Sequence, residues 1–150
     1  NEQVSFRQGG FVQSGVLKFD TTLATGRGSY VFRAGSRVAF RIDGGVEEGV
    51  LTRDTTLATG LGSFVFAAGS AVAFYPGGTV QSGVLRFDTT LLTGRGSQTF
   101  AAGKYAGFYA DGKVSHGTVR FDTTLPTRGG GSQAVRGGSQ VRLGQDGTLQ

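Results

Sequence analysis

The chain has no cysteine, no tryptophan and no methionine, and only two prolines and one histidine. The missing cysteines remove disulfides and thiolate metal sites, and leave the redox compartment open. Two prolines are too few for collagen, and the glycines follow no three-residue period. No run of about 18 apolar residues exists, so no segment crosses a membrane as a helix. Acid–base chemistry has a single imidazole, His116, to draw on.

What is present is glycine, 28 of 150 residues, with Phe, Val, Leu, Thr and Ser. That is the composition of a β protein with many tight turns. The length fits one domain, residues 1–150, with no linker or change of composition along it. The formal charge of +5, mostly arginine, is a diffuse bias toward acidic partners. The sequence starts at Asn1, without Met or a signal-like apolar stretch. We expect a processed mature protein or an excised fragment, in the first case exported, and hence an extracellular or cell-surface location.

The dominant feature is a repeat. Asp20-Thr21-Thr22-Leu23 recurs at Asp54, Asp88 and Asp122, a period of 34 residues. The units run 15–48, 49–82, 83–116 and 117–150, preceded by a half unit at 1–14. The last unit carries one inserted residue in Arg128-Gly129-Gly130-Gly131, and has Val135 where the others have Phe32, Phe66 and Phe100. Terminal repeats deviate in this way because they face something other than an identical neighbour.

Within a unit the hydrophobic period is two. Val38, Phe40 and Ile42 alternate with Ala39 and Arg41, and Val72/Phe74, Ala106/Phe108, Val141/Leu143 and Val4/Phe6 keep the parity. The opposite parity is small (Ala39, Ala73, Gly107), which predicts close approach of a second layer there. Asp43-Gly44, Gly77-Gly78, Asp111-Gly112 and Gly9-Gly10 mark hairpins, and Ala34-Gly35, Ala68-Gly69 and Ala102-Gly103 a second set of turns. Each unit therefore reads as a three-stranded meander, with Asp-Thr-Thr-Leu extending its last strand or turning the chain toward the next unit. No segment shows helical periodicity with caps. Fully extended, 34 residues would span about 110 Å, so the chain must fold back inside each unit. The expected fold is all-β, an open solenoid or rolled sheet of stacked hairpins. A closed propeller-like toroid or barrel is the alternative, although blades usually need about 40 residues or more.

The hairpin Val72-Ala73-Phe74-Tyr75-Pro76-Gly77-Gly78-Thr79-Val80-Gln81-Ser82-Gly83-Val84-Leu85 resembles the variant MORN-type repeats of bacterial proteins, as does Phe108-Tyr109-Ala110-Asp111-Gly112-Lys113-Val114. The shared pattern is an aromatic residue and Tyr, two turn residues, Gly, an apolar residue, a short polar gap and Gly. The Asp-Thr-Thr-Leu-x-Thr-Gly segment is foreign to that short unit. The resemblance implies an extended array of β-hairpins acting as a scaffold or contact surface.

Asp20, Asp54, Asp88 and Asp122 form a ladder if the units stack. Calcium bridging is one reading, but one acid per loop fits a structural connector better, each Asp accepting backbone hydrogen bonds at the bend while Leu23, Leu57, Leu91 and Leu125 anchor it. The threonine ladders suggest an ice-binding face, yet adjacent Thr-Thr places the two hydroxyls on opposite sides of a strand. Lys18, Arg86 and Arg120 in one register, and Arg27 and Arg95 in another, are candidate polyanion contacts lining one groove. Arg128-Gly129-Gly130 and Arg136-Gly137-Gly138 look like RGG elements but fall on structural turns, and the Phe residues look interior by parity. Specific nucleic-acid binding is therefore not expected. His116 stands where other units have Ser14, Glu48 and Ser82, so it is expected to face solvent. Glu47 and Glu48 occur once and point to opposite faces, which argues against a paired-carboxylate site. No catalytic, cofactor or metal site is expected.

The expected function is a non-enzymatic structural repeat protein of an exported or surface assembly, a fibre or adhesin element, associating with itself head-to-tail. The alternative is a multivalent lectin-like module with one weak site for acidic glycan per unit. The lack of Trp and the scarcity of exposed aromatics weigh against it.

Overall fold

A computed structural model describes residues 4–6, 8, 10 and 12–150. Asn1, Glu2, Gln3, Arg7, Gly9 and Phe11 lie outside it, and with them half of the expected Gly9-Gly10 turn. The described residues form 17 strands and no helix. In chain order these are β1 (Ser5–Phe6), β2 (Val12–Val16), β3 (Thr21–Thr25), β4 (Gly28–Phe32), β5 (Arg37–Phe40), β6 (Val46–Val50), β7 (Thr55–Thr59), β8 (Gly62–Phe66) and β9 (Ala71–Phe74). They continue as β10 (Val80–Val84), β11 (Thr89–Thr93), β12 (Gly96–Phe100), β13 (Tyr105–Phe108), β14 (Val114–Thr118), β15 (Thr123–Pro126), β16 (Ser132–Val135) and β17 (Gln140–Arg142).

Nine of these strands make one antiparallel sheet in the order β1-β2-β5-β6-β9-β10-β13-β14-β17. The remaining eight pair as separate hairpins, β3-β4, β7-β8, β11-β12 and β15-β16. The sheet is open, with β1 and β17 at its ends, so the closed toroid or barrel does not form. The all-β class and the repeated hairpins are as expected, but the three-stranded meander is not. Tyr30-Val31-Phe32 pairs with Thr21-Thr22-Leu23 instead of with β5, and Asp-Thr-Thr-Leu opens a strand of its own. Each 34-residue period thus contains a sheet hairpin and a second hairpin, here termed the roof.

The roof covers one face of the sheet because that face is apolar. Val38, Val72, Ala106 and Val141 point into it, as do Phe74, Phe108, Val46, Val80 and Val114, all buried. The roof contributes Phe32, Phe66, Phe100, Leu57, Leu91 and Leu125, exposed by no more than 2%. Parity along the second sheet strands is corrected by a bulge. Phe40 faces Val46 while Ala39 faces Glu48, leaving Glu47 as the extra residue, and Gln81 and Ser115 repeat the pattern. The bulge turns both Val46 and Gly49 toward the roof. Ile42 departs from the expected parity. β5 ends at Phe40, and Ile42 sits in the following turn, 83% exposed. The small row Ala39, Ala73 and Gly107 points away from the roof. Among the described residues no second layer approaches it, and at Gly107 the vacant space holds the His116 ring.

Close packing of the two layers depends on glycine at two places. A Cβ on Gly49 would lie 2.6 Å from the Phe32 ring, one on Gly83 2.8 Å from Phe66, and one on Gly117 2.6 Å from Phe100. Each roof phenyl therefore rests directly on sheet backbone. Two of them also meet a phenyl of the next sheet hairpin edge-on, Phe32 with Phe74 at 6.5 Å and Phe66 with Phe108 at 6.1 Å. At the roof tips, a Cβ on Gly26 would lie 2.4 Å from the Gly77 carbonyl carbon, one on Gly60 2.4 Å from that of Asp111, and one on Gly94 2.3 Å from that of Asp146. Each roof thus reaches from the strands it connects to the turn of the following sheet hairpin. Replacing Gly83 by Ala forces the Phe66 ring off its seat, at a cost of about 1–3 kcal/mol typical of overpacking. Urea unfolding of Gly83→Ala should show that loss, and the double variant Gly83→Ala/Phe66→Leu should cost less than the sum of the singles.

Candidate functional site

The loop that links sheet to roof carries the candidate residues. After β2 the chain continues through Leu17, Lys18, Phe19 and Asp20 before β3 begins, and the same loop follows β6, β10 and β14. Asp20 Oδ1 accepts the Ala34 N–H at 2.8 Å, and Asp54, Asp88 and Asp122 accept those of Ala68, Ala102 and Gly137 at 2.8–2.9 Å. Each carboxylate clamps the turn that follows the second strand of its own roof hairpin, 14 or 15 residues on in sequence, and does not close a local turn. The first threonine of β3, β7 and β11 donates back across the bend, Thr21 to the Phe19 carbonyl, Thr55 to that of Arg53 and Thr89 to that of Phe87, whereas Thr123 of β15 donates to Gln98 Oε1 at 3.1 Å.

Neighbouring loops are joined by ion pairs. Arg86 Nε donates to Asp54 Oδ2 at 2.7 Å, and Arg120 Nε to Asp88 Oδ2 at 2.9 Å. Thr52 stands at the corresponding place beside Asp20, so the ladder lacks that rung. The carboxyls of Asp54 and Asp88 are held below the usual carboxylate range, first by the backbone N–H of Ala68 or Ala102 and then by the arginine.

The phenyl rings of this loop contradict the expectation that phenylalanine is interior. Phe19, Phe87 and Phe121 are 70%, 56% and 60% exposed. Each lies under the cation that precedes it, Lys18 Nζ at 5.7 Å from the ring centroid, the Arg86 guanidinium at 5.0 Å and the Arg120 guanidinium at 5.2 Å. A signal was available in the sequence. Arg53 occupies the same register, and a position that accepts arginine is not a core position.

The candidate basic residues do not form one groove. Lys18, Arg86 and Arg120 sit on the linking loops, whereas Arg27 and Arg95 occupy the roof tips, separated from the loops by the five residues of β3 or β11. That length of strand is about 17 Å. The tip threonines are committed to closing the turn. Thr25, Thr59 and Thr93 donate to the carbonyls of Gly28, Gly62 and Gly96 and accept the N–H groups of Arg27, Leu61 and Arg95. They are buried, and so take no part in a surface array.

On the uncovered face of the sheet, Tyr105, His116, Gln140, Arg142 and Gln150 line a cavity of about 460 Å³. His116 does not stand free in solvent. Its ring is half-buried across Gly107, where a Cβ would come within 1.9 Å of it, and Nδ1 lies 3.1 Å from Ser115 Oγ. Burial, and then the Arg142 charge, push the imidazole pKa down. No carboxylate lines this cavity to orient the imidazole. Among the described residues, no group of three or more His, Asp or Glu is placed to hold a metal ion, and no helix is long and apolar enough to cross a membrane.

No family model matches the chain, and comparison with curated proteins gives no match.

The depressed pKa values set a pH dependence. Groups whose folded-state pKa is lowered stabilise the fold above their ordinary value and lose that contribution as pH falls through the folded-state value. Thermal unfolding should therefore shift downward in two stages on acidification. The first begins below the ordinary histidine value of 6.5 and should vanish in His116→Gln. The second begins below 3.8 and should be blunted in Asp54→Asn/Asp88→Asn.

Proposed function

We propose that the protein is a non-enzymatic structural repeat element of an exported or surface assembly, and that it associates with itself head-to-tail. One observation carries this reading. The turn glycines Gly78, Gly112 and Gly147 are buried under roof tips, but Gly44, with the same left-handed backbone at φ +87°, is exposed with nothing above it. In the same first part of the array, Phe40 and Leu23 are only half-buried, although Phe74, Phe108, Leu57 and Leu91 are closed off. The inter-hairpin contact is heterologous, tip onto turn, and so can propagate from one molecule to another. In this reading the uncovered turn end of one copy, with Gly10 and Gly44 both exposed at positive φ, receives the Thr127–Gly131 tip of the next, and the MORN-like sheet hairpins supply the continuous surface.

The joint differs from the internal contacts in a way that sets its strength. Where Gly26, Gly60 and Gly94 touch the neighbouring backbone, the fourth roof carries Arg128 in a loop one residue longer. That loop closes like a sheet turn, with Thr127 N–H on the Gly131 carbonyl at 2.9 Å and Gly130 at φ +85°. An arginine Cβ does not fit the internal geometry, so the joint between copies is looser than the contacts within a copy.

Sedimentation velocity over a range of concentrations tests this. The wild type should associate weakly and reversibly. Arg128→Gly combined with deletion of Gly129 should lengthen the assemblies, and Gly44→Asn, which tolerates the positive φ but adds bulk, should abolish them. A shortened-loop variant that stays monomeric at every concentration contradicts the proposal.

A further inference from the structure

The linking loops carry a feature that neither folding nor self-association uses, a row of exposed phenyl rings. Twelve phenylalanines occur in the chain. Phe32, Phe66, Phe74, Phe100 and Phe108 are at most 1% exposed, while Phe19, Phe87 and Phe121 present more than half of their surface to solvent. The fold does not require a phenyl there, because Arg53 fills the same register in the second unit.

The rings are presented in a fixed way. Asp54 is held through Oδ1 by the Ala68 N–H and through Oδ2 by Arg86 Nε, and the same guanidinium lies over Phe87. Asp88, Arg120 and Phe121 repeat the arrangement, anchored by Ala102. The ion pair uses the Nε–H of each arginine, and its terminal nitrogens keep the fork geometry that suits a carboxylate. Because each period adds two strands to the sheet, successive loops are about 10 Å apart. The result is a row of aromatic faces, with an oriented guanidinium beside Phe87 and Phe121 and the Lys18 ammonium beside Phe19.

We infer that this row is a binding site for a linear acidic polysaccharide, a polyuronate. A phenyl face accepts the C–H face of a pyranose ring, and the neighbouring guanidinium accepts the uronate carboxylate. The spacing of the loops is close to the length of a disaccharide in an extended, equatorially linked chain, so one stretched polymer can meet successive loops in register. The charge of this edge fits an acid better than a neutral glycan. Lys18, Arg53, Arg86 and Arg120 balance the four aspartates, and exposed Arg33, Lys104 and Arg136 on the adjoining turns tip the edge to positive. Arg27 and Arg95, at the other end of the roof hairpins, are not part of the site. The second loop, with Arg53 in place of phenylalanine, is a gap in the row. The site is independent of the proposed self-association, since the loops lie away from the tips and turns that would form the joint.

The test is titration of the intact 150-residue chain with polymannuronate, an equatorially linked polyuronate, with a neutral linear glucan of the same linkage and similar length, and with poly-L-glutamate, at fixed moderate salt. The polyuronate should bind best. Removing all three rings (Phe19→Ala/Phe87→Ala/Phe121→Ala) should weaken that binding by roughly tenfold or more, as loss of several linked weak contacts does, while circular dichroism and the unfolding midpoint stay unchanged. Arg53→Phe, which fills the gap, should tighten it. Poly-L-glutamate binding as well as the polyuronate, or polyuronate binding indifferent to removal of the rings, would reduce the site to charge attraction and overturn the inference. Equal or better binding of the neutral glucan would overturn the acidic ligand, and no polyuronate binding would overturn the site altogether.

Discussion

A phenyl ring seated on a glycine is the contact on which this architecture depends. Phe32, Phe66 and Phe100 close the roof onto the sheet only because Gly49, Gly83 and Gly117 offer bare backbone beneath them. Any side chain at those glycines would lift the roof by the thickness of a methyl group and open the core along its length. For Phe32 and Phe66 the ring is also the link between periods, since it sits on one sheet hairpin and meets a phenyl of the next at its edge. Edge-to-face pairs contribute about 0.5–1.5 kcal/mol beyond burial, so a single side chain serves both the closure of one period and its attachment to the next.

The division of labour between the two ends of the roof hairpin follows from this seat. One end is tied down by polar contacts, with the aspartate clamping the turn and the arginine of the next loop clamping the aspartate. The other end is held by steric fit, glycine against turn backbone. These two modes have different consequences for the surface. The polar end leaves charged groups and phenyl rings in solvent, where they can meet a ligand. The tip end leaves no room for side chains at Gly26, Gly60 and Gly94, and only the fourth roof carries an arginine, Arg128, at that place.

Much of the fold was legible in the sequence because the repeat displays the same decision several times. The alternation of Val38 and Phe40 with Ala39 and of Val72 and Phe74 with Ala73, and the Asp-Gly and Gly-Gly turns, identified the sheet hairpins. The roof was not legible for a specific reason. Thr21-Thr22-Leu23-Ala24-Thr25 has polar residues at most positions, and its pairing with Gly28–Phe32 rests on a tip that reads as a loop. Parity also failed in two ways. The bulges at Glu47, Gln81 and Ser115 shift the face without leaving a sequence signature, and the linking loop lies outside any strand, so parity had no bearing on Phe19, Phe87 or Phe121. The candidate aspartates and the basic residues of the linking loop were found as a ladder. That Arg27 and Arg95 stand at the far end of the roof depends on the hairpin that the sequence did not reveal.

The account stands most directly on the position of the roof phenyls, and proton NMR reads that position without altering the molecule. A ring edge brought this close to backbone gives strong nuclear Overhauser effects between ring and Hα protons. The Hα protons of Gly49, Gly83 and Gly117 should therefore show them to the ring protons of Phe32, Phe66 and Phe100. Gly15, in the same register but facing Val4 in place of a ring, should show none to a ring. Absence of these effects at all of the glycines would mean that the rings are not seated on the sheet, and the two-layer account would fail with them.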